Sequence, residues 1–123
     1  IPTMNKTSDM GKIIIINGPS SSGKTTLSLA LQKQISISFI RFSFDLFIEN
    51  KILPGEQIDQ GKFSWPDMRP AVFDGLHRCI PALASAGNNV IFDHIIETEG
   101  WLHDLVRYLA EFDVFFVGLH CSI

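Results

Sequence analysis

The run Gly18-Pro19-Ser20-Ser21-Ser22-Gly23-Lys24-Thr25 limits what this chain can fold into more than any other segment. Ahead of it lies Lys12-Ile13-Ile14-Ile15-Ile16-Asn17, and behind it Thr26-Leu27-Ser28-Leu29-Ala30-Leu31-Gln32. Successive isoleucines suit a parallel strand buried on both faces, and Leu27, Leu31 and Ile35 recur at helical spacing. A glycine, four residues and then Gly-Lys-Thr, set between a strand and a helix, is the P-loop pattern in the context it requires. Gly18 and Gly23 let the backbone turn tightly and approach a ligand where a Cβ would clash. Loop N–H groups and the N-terminus of the next helix then converge on an anion. In such a loop the lysine, Lys24, reaches the β- and γ-phosphates, and the Thr25 hydroxyl holds Mg²⁺. The expected cradle for the nucleotide is therefore Gly18, Pro19, Ser20, Ser21, Ser22, Gly23, Lys24, Thr25 and Thr26. A plain Gly/Ser-rich turn would need neither the lysine nor the threonine.

Composition narrows the class further. A chain of 123 residues, 46% of them apolar, is one domain with a real core, yet small for a complete nucleotide-binding kinase. A net charge of −3 with scattered basic residues argues against a nucleic-acid surface. No apolar run reaches the ~18 residues of a membrane span, and no secretory pattern opens the chain. Cys79 and Cys121 lack metal-ligand spacing and suit buried thiols in a reducing cytoplasm.

Residues 1–11 are polar and aperiodic, which suits a frayed arm. The domain proper then runs over 12–123. Its pattern predicts strands over 12–17, 36–44, 90–92 and 114–119, and helices over 24–35, 45–51, 68–86 and 98–110. Pro81 lies inside the third helix, so a kink or break near residue 78 is expected. Residues 52–68 are rich in Gly, Pro and Asp but carry Phe63 and Trp65, as in either a substrate flap or a surface loop pinned by its aromatics. Strands alternating with helices give an α/β fold with a parallel sheet and helices on both faces. Ligands of such sheets sit beyond the carboxyl ends of the strands. That places the P-loop, Asp45, Asp93 and His120/Cys121 at one edge.

Two carboxylates therefore flank the phosphate site. Asp93 follows an apolar strand, as does an acid that holds Mg²⁺ directly or through water. A strand-end cap for the next turn is the plainer alternative. Asp45 ends the second strand and can serve as general base toward an acceptor hydroxyl. Its alternative is a helix N-cap. The two roles can also be divided differently. By strand alternation His94 points away from Asp93 and is read as a packing residue.

With these residues placed, the chain resembles chloramphenicol phosphotransferase and its P-loop kinase relatives from about residue 12 onward. The matching segments are Ile14-Ile15-Ile16-Asn17-Gly18 through Thr25, Phe44-Asp45-Leu46-Phe47-Ile48-Glu49, Val90-Ile91-Phe92-Asp93, and Phe112-Asp113-Val114 through Cys121. The resemblance implies a three-layer P-loop kinase fold and transfer of the ATP γ-phosphoryl to a substrate hydroxyl, with Asp45 as base and Lys24 on the phosphates. The implied cofactors are ATP and Mg²⁺ and the implied acceptor a hydroxyl such as chloramphenicol's; the aromatic residues of 52–68 and the scarcity of positive charge suit a small, neutral, partly aromatic compound. The family's second aspartate beside the strand-three acid is His94 here. Its arginine-bearing lid, fifth strand and last helix have no counterpart after residue 123, so the chain is expected to be an incomplete copy of the domain. An open edge on the last strand would then suit a homo-oligomer. The competing expectations are a nucleotide-binding module without transfer activity, and a P-loop kinase for another metabolite.

Overall fold

A computed structural model describes residues 9–19 and 22–119. The expected frayed arm, Ser20, Ser21, His120 and Cys121 lie largely or wholly outside these residues, although Gly11 is buried and donates its N–H to Ala84 O at 2.8 Å. The chain alternates β1 (Ile13–Asn17), α1 (Lys24–Gln34), β2 (Phe39–Ser43), α2 (Asp45–Glu49), α3 (Gly55–Asp59), α4 (Trp65–Ser85), β3 (Asn89–His94), α5 (Glu99–Tyr108) and β4 (Val114–Gly118).

The sheet is parallel throughout, in the order β2-β3-β1-β4. The four isoleucines thus occupy an inner strand, covered by β3 on one side and β4 on the other. Successive side chains leave a strand on opposite faces, and the core divides accordingly. Ile13, Ile15, Val90 and Phe92 pack with Phe73, Leu76, Ile80 and Ala84 of α4 and Leu105 of α5. Ile16, Phe39 and Ile91 meet Leu27, Leu31 and Ile35 on the α1 side. Each such buried side chain contributes about 1.5–3 kcal/mol, so the apolar alternation, not strand propensity, sets the layers. The result is helix, sheet, helix.

The register brings chemistry to one end. Asn17 pairs with His94 and Ser43 with Asp93, so β1, β2 and β3 finish at one level. Asn17 Oδ1 also accepts from the Ile96 N–H at 2.9 Å, tying the segment after β3 to the start of the P-loop.

Two expectations change here. The long loop over 52–68 is instead a short helix, α3, followed by a helix that begins at Trp65. Ser64 caps that helix by accepting from the Asp67 N–H, and Pro66 lies in its first turn, where it costs no hydrogen bond. Nor does Pro81 break α4, which continues through it to Ser85. The ring removes one N–H from the ladder, and the burial of Leu76, His77, Ile80 and Ala84 on either side outweighs that loss.

Candidate active site

The P-loop glycines are required by geometry. Gly23 precedes α1 with φ of 90°, in the left-handed region that favours glycine. A Cβ on Gly18 would stand 2.7 Å from Ser22 Oγ and 3.0 Å from Leu119 O. Ser22 closes the turn by bonding Pro19 O through both its N–H and its Oγ. Lys24 is buried at the first position of α1, and its Nζ donates to Pro19 O at 2.9 Å. The ammonium is thereby held over the loop. Thr25 and Thr26 follow it on the exposed side.

A cavity of about 250 Å³ opens beyond the strand ends. Lys24 and Thr25 line one side, Asp93 and His94 the floor, and Ser43 and Asp45 the β2 side. Phe44, Trp65 and Phe73 wall it, with Phe44 and Phe73 ring centroids 4.5 Å apart and Trp65 stacked on Phe44. The P-loop lysine and threonine and both aspartates therefore meet in one place. Asp45 makes no capping hydrogen bond; the N-cap of α2 is Phe44.

Asp93 is almost fully buried and charge-balanced. Its Oδ2 accepts from Ser28 Oγ of α1 at 2.9 Å and from Arg41 Nη1 of β2 at 3.1 Å. Oδ1 takes part in neither bond. A carboxylate at 3% exposure is tolerated in such a place only with hydrogen-bonding partners of this kind. Arg41 was legible as a basic residue but not as a site neighbour. The available signal was the alternation of Arg41 and Ser43 along a strand that ends level with Asp93.

On the opposite face, His94 points away from Asp93, as alternation requires. Its ring stacks on Phe92 and Trp101 and stands 3.0 Å from His77, Nε2 to Nε2. Only one proton fits between those nitrogens. Burial first, and then His77 and Lys24, push the His94 imidazole down to about 3. Burial also lowers His77, against the pull of Asp104 and Asp74. Both rings are neutral at pH 7. Arg69 lines the cavity mouth, pairs with Glu97 and lies over the Phe73 and Trp101 rings. Nothing local in the sequence points to Arg69 at the cavity, because the fold of α2, α3 and the start of α4 brings it there. Arg78 and Arg107 instead stack on Tyr108, away from the cavity.

Among the described residues no three His, Cys, Asp or Glu side chains form a metal cluster. A cation such as Mg²⁺ takes one or two protein groups together with substrate phosphates. Thr25, Asp93 and the unpartnered Ser43 Oγ supply oxygen groups in the cavity, and they fit that chemistry. No helix among the described residues is long and apolar enough to cross a membrane.

This arrangement of sheet, P-loop and strand-end acids is the P-loop kinase fold. The APS kinase CysC of Mycobacterium tuberculosis, as a cysteine-to-alanine mutant, superposes with a TM-score of 0.68 at 20% identity, covering 90% of this chain and 76% of that one. A chain of the Pnkp1/Rnl/Hen1 RNA repair complex superposes at 0.67 and 20% identity, covering 98% of this chain and 37% of that one. Within that fold, residues 11–123 match the family described as chloramphenicol phosphotransferase-like protein, and the chain belongs to that family. Two Mycobacterium tuberculosis proteins, from strains H37Rv and CDC 1551, are provisionally named O-phosphotransferases. Each is 34% identical over 135 aligned positions, which cover 91% of this chain and 58% of the relative. The chain thus spans little more than half the length of those relatives.

Proposed function

We propose that this chain is the nucleotide-binding and catalytic part of an ATP-dependent O-phosphotransferase, moving the γ-phosphoryl group of ATP to a hydroxyl of a small molecule. The observation that carries this reading is the convergence of Lys24, Thr25 and Asp45 on one aromatic-walled cavity at the strand ends. The P-loop from Gly18 to Thr26 cradles the triphosphate, and Lys24 neutralises charge on its outer phosphates. Thr25 and Asp93 are the groups that would hold Mg²⁺, which screens the phosphate charge when bound. Asp45, exposed and free of a capping duty, accepts the acceptor hydroxyl's proton as that oxygen attacks phosphorus. The O–P bond to the acceptor forms as the bond to the ADP oxygen breaks. Phe44, Trp65 and Phe73 offer an apolar, ring-shaped surface to the acceptor, which suits a neutral and partly aromatic alcohol; chloramphenicol is the first candidate.

A second reading, nucleotide binding without transfer, draws on the Arg41–Asp93 ion pair, which already balances the acid expected to serve the metal. A coupled ADP-release assay with a panel of hydroxyl compounds, chloramphenicol included, separates the two. Acceptor-dependent ADP release at a rate above background supports transfer. Tight ATP binding with no acceptor-dependent release from any compound leaves the binding module.

A further inference from the structure

Among the described residues, Ser43 Oγ is the one buried side-chain polar atom without a hydrogen-bond partner. Burying a hydroxyl without a partner costs about 1–3 kcal/mol, and native structures seldom carry that cost without a reason. Nothing in the local fold requires a hydroxyl at this position. β2 is an apolar strand apart from Arg41 and Ser43, and alanine would fill the same place.

The surroundings indicate what the hydroxyl meets. Ser43 is the register partner of Asp93 on the adjoining strand, so both side chains leave the sheet on the same face. That face is the α1 side, because Ser28 of α1 bonds Asp93. Ser43 lines the same cavity as Lys24, Thr25 and Asp93. It therefore stands at the phosphate end of the site, not among the aromatic rings that would face an acceptor. Its exposure is only 1%, so a bulky acceptor cannot reach it. The neighbouring carboxylate favours a donor in that place over a phosphate oxygen. A metal-bound water is such a donor, and Mg²⁺ usually retains several of its waters.

We propose that Ser43 is a positioning residue for the metal. Its hydroxyl and the Asp93 carboxylate accept hydrogen bonds from waters of the Mg²⁺ that accompanies ATP, fixing the cation's orientation against the triphosphate. This role rests on the reading of the cavity as an ATP·Mg²⁺ site. It gives the hydroxyl opposite effects in the two states of the protein. In the nucleotide-free chain it destabilises, and in the loaded chain it contributes a bond.

The test is calorimetric titration of ATP into wild type, Ser43→Ala and Ser43→Cys, each with saturating Mg²⁺ and again with EDTA, alongside melting of the nucleotide-free proteins. A hydrogen bond of this kind is worth about tenfold in affinity. Expected is a roughly tenfold weaker Kd for both variants in Mg²⁺, no difference from wild type in EDTA, and a nucleotide-free Tm equal to or above wild type. Ser43→Ala removes the group and Ser43→Cys replaces it by a slightly larger, weakly hydrogen-bonding one, so agreement between the two variants separates the bond from packing. Equal Kd in Mg²⁺, or an equal loss with and without the metal, overturns the role. A variant Tm well below wild type with unchanged Kd would make Ser43 a packing residue. Failure of wild type itself to bind ATP would instead sink the reading of the site.

Discussion

At the scale of single residues, Lys24 and Asp45 line one cavity yet carry different loads. Lys24 is a buried ammonium, and in the proposed reading its charge serves the triphosphate before any chemistry. Its replacement by alanine is expected to weaken ATP binding by about 10–100-fold, the value of a charge-assisted bond. As the proposed base, Asp45 would touch the acceptor's proton and not the nucleotide. Asp45→Asn should therefore leave ATP affinity near wild type while acceptor phosphorylation falls by about 10²–10⁴-fold. Calorimetry paired with the ADP-release assay reads both, and unchanged turnover in Asp45→Asn would remove its role as base. His94 titrates with folding. Its imidazole lies at about 3 in the folded chain, below the ordinary 6.5, so the unfolded chain binds the proton first as pH falls. Stability is complete above about pH 6.5 and declines from there toward pH 3, with His77 acting in the same direction. From pH 7 to pH 5 the His94 contribution amounts to about 2 kcal/mol. Urea unfolding at the two pH values should show that loss in wild type and a smaller one in His94→Phe, which keeps the aromatic stack. Equal losses would show that the ring does not titrate with unfolding. The P-loop and both strand-end aspartates were legible because their spacing is local. Arg41, Ser43 and Arg69 were not, because strand register and the fold of the intervening segment bring them to the site.

Elements show the same division between local and distant causes. β1 and α1 follow directly from four isoleucines and from leucines at helical spacing, and both formed within a residue of expectation. The stretch before α4 reads as a loop or flap from its Gly, Pro and Asp content, whereas Ser64, accepting from the Asp67 N–H ahead of Pro66, is a capping signal that opens the helix at Trp65. Pro81 was read for its backbone cost alone. In the fold, α4 is held along its length by Phe73, Leu76, Ile80 and Ala84 against the sheet, and that packing carries the helix across the missing N–H. The His77 carbonyl, four residues earlier, then lacks its intrahelical donor. Pro81→Ala would return that donor and remove a ring clash worth about 3 kcal/mol, less the ~1 kcal/mol that proline contributes by restricting the unfolded chain. The expected outcome is a gain of about 2 kcal/mol in denaturant unfolding. A destabilised Pro81→Ala would mean that the helix bends at this point for the benefit of the core.

At the scale of the molecule, the sheet among the described residues has two edges, β2 and β4, and they differ in character. β2 carries Arg41, a charge of the kind that discourages strand addition, although this one is turned toward Asp93. β4 has no such guard. Its sequence is Val114-Phe115-Phe116-Val117-Gly118, with Phe115 68% and Phe116 47% exposed on opposite faces. Leu102 and Val106 of α5 continue the apolar surface beside Phe116, and Val106 is itself 63% exposed. An unpaired strand with aromatic side chains on both faces is a template for another strand. We expect this 123-residue chain to associate with a second copy of itself through the β4 edge. Light scattering should then show a mass that rises with concentration, and Phe115→Lys should lower it by placing a charge at the edge. Lys24 and Asp45 lie at the strand ends and not along β4, so ATP binding should survive the substitution. A wild-type chain that stays monomeric up to high concentration would show that β4 needs no strand partner, whereas association that persists in Phe115→Lys would place the contact elsewhere.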